Sequence, residues 1–278
     1  MSMDRRRFLA TAAGLAAAAA GASWAAAIEP WNIEVTRTTV RIRNLPEPFD
    51  GFRLALLADI HHGRSVGAGY ISRAVSGVNA LGPDAVVLAG DYVLGDDRFF
   101  EPCMAILSRL RCPVYSVLGN HDHWEGAGIA AGLLAGMVGA VDLRNRHETL
   151  SRGGATLRMA GVGDLWEDSQ DLDACLDGLR GEPVILACHN PDYAEQIPEG
   201  AVDLVLSGHT HGGQIVIPGL GAPVLPSGFG QKYRAGLVQG PVQVYVTRGV
   251  GVGNPPVRFN CRPEIAIVTL RPPEGGAG

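Results

Sequence analysis

Five short apolar runs in this chain each stop at a polar cluster, and no other feature constrains the fold as tightly. Residues 52–58 end at Asp59-Ile60-His61, residues 85–89 at Gly90-Asp91, and residues 114–118 at Gly119-Asn120-His121-Asp122. Residues 184–188 end at His189-Asn190, and residues 204–206 lead through Ser207 to Gly208-His209-Thr210-His211. Apolar runs this short, without polar alternation, fit strands covered on both faces. Helical patterns lie between the early ones. Ile71, Val75 and Val78 share one face, and Phe100, Met104, Leu107 and Leu110 share another. Strands alternating with helices indicate an α/β fold, and such folds bind ligands at the carboxyl ends of their strands. Every polar cluster falls at one of those ends.

The rest of the chain frames these runs. Residues 33–43 alternate apolar and polar side chains, as a strand with one wet face does. Past Gly212 the texture changes: Pro218, Gly219, Gly221, Pro223 and Pro226 crowd together, and short β-like runs follow at 242–247 and 265–270. This region reads as a second sheet with loops folding back over the site. A length of 278 residues suffices for one large domain, and no composition break divides residues 28–278. The formal charge of −5 argues against a nucleic-acid partner, which calls for a basic face. It leaves a phosphate substrate open, because bound metal ions reverse the local field.

Asp, His and Asn are the side chains that borderline divalent metals prefer. Two such ions held roughly 3.5–4 Å apart acidify a water into a nucleophile and clamp the phosphoryl oxygens as charge builds. A protein serving that chemistry supplies a shared carboxylate, several neutral imidazoles and little net negative charge.

The ordered series D-x-H, GD, GNH-D, H, GHxH from Asp59 to His211 resembles the calcineurin-like metallophosphoesterase family. The resemblance implies that family's fold, two central mixed β-sheets in a sandwich flanked by helices. It implies two divalent metals, with Mn or Fe favoured and Zn next. Carried over by motif, Asp59, His61 and His211 would bind the first metal, Asp91 would bridge, and Asn120, His189 and His209 would bind the second. His121 would stay unligated and act on the leaving-group oxygen as general acid or stabiliser. The protein Ser/Thr phosphatase branch continues its second motif as GDxxDRG. Here Leu94 and Gly95 stand where that Asp and Arg belong, which argues against a protein phosphatase. Asp122 is a candidate support for His121, and His62 and His123 are candidate rim residues. The segments Tyr245-Val246-Thr247-Arg248-Gly249 and Arg258-Phe259-Asn260-Cys261-Arg262 resemble the exported bacterial phosphodiesterase branch of the family, the YkuE/YaeI type. There Arg248 or Arg258 would be a candidate fork for a phosphate oxygen.

The N-terminus reads as an address. Asp4-Arg5-Arg6-Arg7-Phe8-Leu9 precedes an apolar stretch of roughly 15 residues, and Ala25-Ala26-Ala27 supplies a small-residue cleavage signal. Paired arginines before Phe-Leu resemble the twin-arginine signal. Residues 1–27 are therefore expected to engage the twin-arginine translocation machinery and to deliver residues 28–278 to the periplasm or cell envelope. An uncleaved segment would instead anchor the chain, with peripheral membrane contact. Cys103, Cys112, Cys175, Cys188 and Cys261 form no metal-binding spacing, and Cys103 with Cys112 is the one sequence-local pair worth testing for a bridge.

The leading expectation is an exported dinuclear phosphodiesterase that cleaves envelope phosphate esters by attack of a metal-bridging hydroxide. The alternatives are a phosphomonoesterase, a nucleotide-sugar or lipid pyrophosphatase using residues 215–229 as a groove, and a non-catalytic scaffold.

Overall fold

A computed structural model describes residues 5–178 and 181–274. Asp4 of the signal-type segment lies outside the described residues. The first half of the chain runs α1 (Arg5–Ala27), β1 (Glu34–Arg41), β2 (Arg53–Leu57), α2 (Ala68–Leu81), β3 (Ala85–Ala89), α3 (Phe100–Leu107), β4 (Val114–Val117) and α4 (Asn120–Leu133). It continues through β5 (Val141–Asp142), β6 (Arg146–Arg152), β7 (Ala155–Gly161), α5 (Leu172–Leu176), β8 (Val184–Ala187) and β9 (Leu204–Ser207). The last strands are β10 (Gly236–Val238), β11 (Val244–Val246) and β12 (Glu264–Arg271).

These strands build two mixed sheets of six, ordered β1-β12-β2-β3-β4-β5 and β10-β11-β9-β8-β7-β6. The central neighbours β2, β3 and β4 in one sheet, and β7, β8, β9 and β11 in the other, pair in parallel. The two-residue period of a strand explains why their sequences are apolar throughout. Leu54 and Leu56 of β2 point between the sheets, where they share a core with Val87, Met159, Ile185 and Leu206. Ala55 and Leu57 point the other way, onto Ile71, Val75 and Val78 of α2 and Met104 and Leu107 of α3. The far face of the second sheet buries Leu186, Val205 and Val244 against Cys175, Tyr193 and Ala194. The result is a helix–sheet–sheet sandwich of the kind the family resemblance implies.

Two features depart from the expectations, and one open question is answered. The apolar pattern does not announce the hairpin β6–β7, because its polar residues Arg146, Glu148 and Arg152 dilute it. A signal is nonetheless present in Gly153-Gly154, both at positive φ, which close the turn. β10 and β11 do join the second sheet beside β9, but β12 does not. It returns to the first sheet and inserts between β1 and β2, pairing with β1 from Glu34↔Glu264 to Arg41↔Arg271. Cys103 and Cys112 are both free thiols.

A buried leucine between the sheets contributes about 1.5–3 kcal/mol by leaving water. Leu56, with no exposed surface, is therefore a sensitive reporter of the sandwich. Leu56→Ala is expected to lower unfolding free energy by about 2–5 kcal/mol in urea titration. A loss within error of zero would mean that the sheets do not pack through this residue.

Candidate metal centre

All five polar clusters converge at one end of the sandwich. Asp59 and His61 follow β2, Asp91 follows β3, and Asn120 and His121 open α4 directly after β4. His189 follows β8, and His209 and His211 follow β9. A strand that simply continued would carry these side chains past one another. Instead, Asp59, His61, Asp91, His209 and His211 all adopt positive φ, between 51° and 70°. Each such non-glycine residue costs about 1–3 kcal/mol, and strain of this kind is tolerated where a site over-determines it.

The resulting geometry is tight. Asp91 Oδ2 lies 3.4 Å from His61 Nε2 and 3.3 Å from His189 Nε2, so one carboxylate reaches histidines from both sheets. His211 Nε2 sits 3.1 Å from His61 Nε2 and 3.4 Å from Asp59 Oδ1. His209 Nδ1 sits 3.0 Å from Asn120 Oδ1 and 3.2 Å from His189 Nε2. The donor atoms of Asp59, His61 and His211 fall within 4.8 Å of one another, as do those of Asp59, Asp91 and His189. His121, expected to stand apart from the ligands, forms a third such group with His61 and Asp91. Its ring packs edge-on against His61 and Trp124.

Protonation follows from burial and neighbours. Burial holds His209 down at about 3 and His121 at about 4, and with help from His61 and Arg258 it pushes His211 well below the usual imidazole range. Burial also raises Asp59 to about 6. Two residues move against burial. Burial alone would raise Asp91, yet His189 and His61 beside it hold it well below the ordinary carboxylate range. Burial alone would lower His189, yet Asp91 and then Asp59 carry it up to about 10. The His189 Nδ1–H donates to the Ala89 carbonyl at 2.7 Å, which leaves Nε2 as the atom facing the cluster.

These residues fit divalent cations. His61 Nδ1, His121 Nδ1, His209 Nε2 and His211 Nδ1 are buried with no hydrogen-bond partner among the described residues. Imidazole nitrogens face one another at close range between two carboxylates. Neutral nitrogens and carboxylate oxygens converging in this way are what a borderline cation binds. Among the described residues, no cysteine sulfur belongs to any of the groups.

Several roles expected from the sequence change here. Asp122 does not reach His121; its Oδ2 accepts the N–H groups of Asp91 at 2.7 Å and Gly119 at 2.9 Å, and its Oδ1 that of Tyr92 at 2.8 Å. It is a clamp on the loop that carries Asp91. Burial and then Asp91 push its own pKa up to about 8. The glycine of the GNH motif is explained by close approach, since a Cβ on Gly119 would collide with Asp91 Oδ1. Arg258 is no phosphate fork. It has no exposed surface, and it donates to the carbonyls of His211 (3.2 Å), Cys261 (3.1 Å), Arg248 (2.7 Å) and Gly251 (2.7 Å). Arg248 is held by Glu264 at 2.9 Å and Glu34 at 2.7 Å. His62 is buried and bonded to the Phe99 carbonyl, and His123 lies 3.8 Å from Asp168.

Sequence reasoning missed Asp164 and Trp166. Asp164 is fully buried just beyond β7, with Oδ2 unpartnered among the described residues, and Trp166 packs edge-on against His209 at 4.4 Å. The sign was legible: Ala160-Gly161-Val162-Gly163-Asp164 repeats the pattern of an apolar run ending in Gly-Asp.

Comparison with known proteins agrees with this architecture. The model of the family described as calcineurin-like phosphoesterase matches residues 52–213, more than half of the chain. The chain is 33% identical to the metallophosphoesterase YkuE of Bacillus subtilis (strain 168), over 97% of this chain and 98% of that one. It is also 33% identical to the phosphodiesterase YaeI of Escherichia coli (strain K12), over 96% and 99% respectively. Among solved structures, TT1561 of Thermus thermophilus is similar, with a TM-score of 0.47 at 18% identity, covering 70% of this chain and 88% of that one. The chain belongs to the calcineurin-like metallophosphoesterase family, and it is a metal-dependent phosphoric ester hydrolase.

Proposed function

We propose that this enzyme is an exported phosphodiesterase that works with two divalent cations. The observation that carries the reading is the position of Asp91, whose single oxygen Oδ2 lies within 3.4 Å of histidines belonging to both donor sets. Asp59, His61 and His211 would hold one cation, Asn120, His189 and His209 the other, and Asp91 would be shared. When bound, the cations supply Lewis acidity toward the phosphoryl oxygens and a water of lowered pKa. The nitrogen and oxygen donors favour Mn or Fe, with Zn next.

The protein's own contribution is orientation and neutral hydrogen bonding. His121, held at about 4 by burial, is neutral at physiological pH. Its Nδ1 has no partner among the described residues, and Leu94, at the motif position of a supporting carboxylate, lines the cavity instead. His121 is thus better suited to donate a hydrogen bond to the phosphoryl or leaving oxygen than to store a proton. Among the described residues, no Lys or Arg lines the main cavity over the cluster. A singly charged diester suits such a wall better than a monoester dianion or a diphosphate. A non-catalytic scaffold would have no need of seven convergent donors. The arginines at 5–7, which open the otherwise apolar α1, support delivery by the twin-arginine route to the periplasm or envelope.

Three outcomes are expected. The purified protein hydrolyses bis-p-nitrophenyl phosphate with Mn²⁺ and loses that activity in EDTA. Asp91→Ala lowers both turnover and metal content per chain, the turnover by about a hundredfold or more; metal content by elemental analysis equal to wild type would overturn the shared-carboxylate assignment. Asp122→Ala orphans three buried N–H groups at about 1–3 kcal/mol each. It should lower the melting temperature and weaken Mn²⁺ binding together, while Asp122→Asn, which keeps an acceptor, recovers part of both. An Asp122→Ala protein with wild-type metal affinity would show that the clamp does not position Asp91.

A further inference from the structure

We infer that the phosphodiester this site takes is a membrane lipid, with its acyl portion against an apolar wall and its headgroup in a polar recess; the inference rests on the phosphodiesterase reading above. Two cavities diverge from the metal-site residue His61, and both are bounded by Leu94 and Asn254. The larger, of about 530 Å³, contains the histidine cluster at its base and is walled by Trp124, Trp166, Ile215, Val224, Pro226 and Val257. The smaller, of about 330 Å³, adds the polar groups of Arg64, Ser65 and Asp96 to a lining that includes Phe99. A phosphodiester has two arms, and here one arm meets hydrocarbon while the other meets a cation, a hydroxyl and a carboxylate. That is the division of a phospholipid about its phosphate.

The outer rim carries the same character. Trp124 is 53% exposed, Trp166 51% and Val224 78%, and Leu220 on the same loop as Val224 is 71% exposed. Soluble surfaces seldom cluster large apolar groups at a cavity mouth unless a partner or a membrane covers them. Paired exposed tryptophans suit the bilayer interface, where an amphipathic ring is favoured. The occupant is indicated by what adjoins the rim. The segment Leu9–Trp31 is apolar and long enough to cross a membrane by length and composition, and none of its apolar window is buried. Its end is fastened to the cavity wall: the Arg258 N–H donates to the Ala25 carbonyl at 2.9 Å, beside cavity-lining Val257. The Trp24 indole donates to buried Glu29 at 2.8 Å, and Glu29 accepts the Cys261 N–H at 2.5 Å. A helix that enters a bilayer from this point places the cavity mouth at the bilayer surface.

The test has a kinetic arm and an optical arm, both on the full chain. With Mn²⁺ and neutral detergent micelles, hexadecyl p-nitrophenyl phosphate is expected to exceed methyl p-nitrophenyl phosphate in kcat/KM by about tenfold or more. Leu220→Glu and Val224→Glu should shrink that ratio within each variant. In parallel, vesicles of phosphatidylcholine with brominated acyl chains should quench tryptophan fluorescence, and Trp124→Phe/Trp166→Phe should remove most of the quenching. Bis-p-nitrophenyl phosphate hydrolysis at an alkyl ratio near one would overturn the lipid assignment and leave the phosphodiesterase standing. Rim-dependent quenching by a protein inactive on every diester would overturn the phosphodiesterase and keep the lipid surface. Quenching that survives in the double variant would come from Trp24 and Trp31 of the apolar N-terminal segment, and it would overturn the rim as the docking surface.

Discussion

The Asp91 carboxylate is the point on which the molecule turns. It leaves the first sheet at β3, yet it faces His189 from the second sheet at 3.3 Å, while its other oxygen accepts the His121 N–H at 2.9 Å. A buried carboxylate with so many partners is stable only while all of them hold position, because removing one leaves an uncompensated charge in low dielectric. The fold meets that demand from below. Asp122 fixes the backbone of residues 91 and 92, and Leu54, Leu56, Met159 and Leu206 lock the two sheets in one relative placement. The core therefore does more than stabilise the chain: it sets the distance between half-sites that no local segment could set alone.

Local strain and global packing are linked at the same place. Five of the candidate ligands occupy left-handed backbone conformations, each unfavourable in isolation. They persist because the strands behind them are buried on both faces and cannot relax outward. The glycines interleaved with them serve the converse purpose. Gly119 has room for nothing larger than hydrogen next to Asp91, so the motif spells both the ligands and the emptiness they require.

This explains what could be read from the sequence and what could not. Strand ends were legible because a run such as residues 85–89 loses its apolar character abruptly at Gly90-Asp91. The order of clusters then carried the family. The hairpin β6–β7 was hidden because most of β6 is exposed, and a half-wet strand with arginines looks like a loop. The placement of β12 was hidden for the opposite reason: it is buried on both faces, so its pattern says nothing about which neighbour it joins. Asp164 was legible by the same rule that found Asp91, and only the unrecognised strand before it concealed it. Arg258 was illegible in principle. Its partners are carbonyls of His211, Arg248, Gly251 and Cys261, and only the folded chain brings those to one guanidinium.

Arg258 also shows how the site stays receptive to an anion without a cation lining its main cavity. The guanidinium sits behind the His211 turn, fully bonded to backbone, where it cannot reach a ligand. Its charge still acts through space: after burial and His61, it is a cause of the lowered His211 pKa, so it favours the neutral imidazole that a metal needs. A cation in the cavity itself would compete with bound metals and would reward any polyanion that entered. Placing the charge one layer down helps keep the His211 imidazole deprotonated and leaves the wall apolar. Selection among phosphate esters then falls to the surfaces beyond the phosphate, the tryptophans and prolines on one side and the Arg64 recess on the other. On the proposed reading, the metal cluster sets which bond can break, and the surfaces beyond the phosphate set whose bond it is.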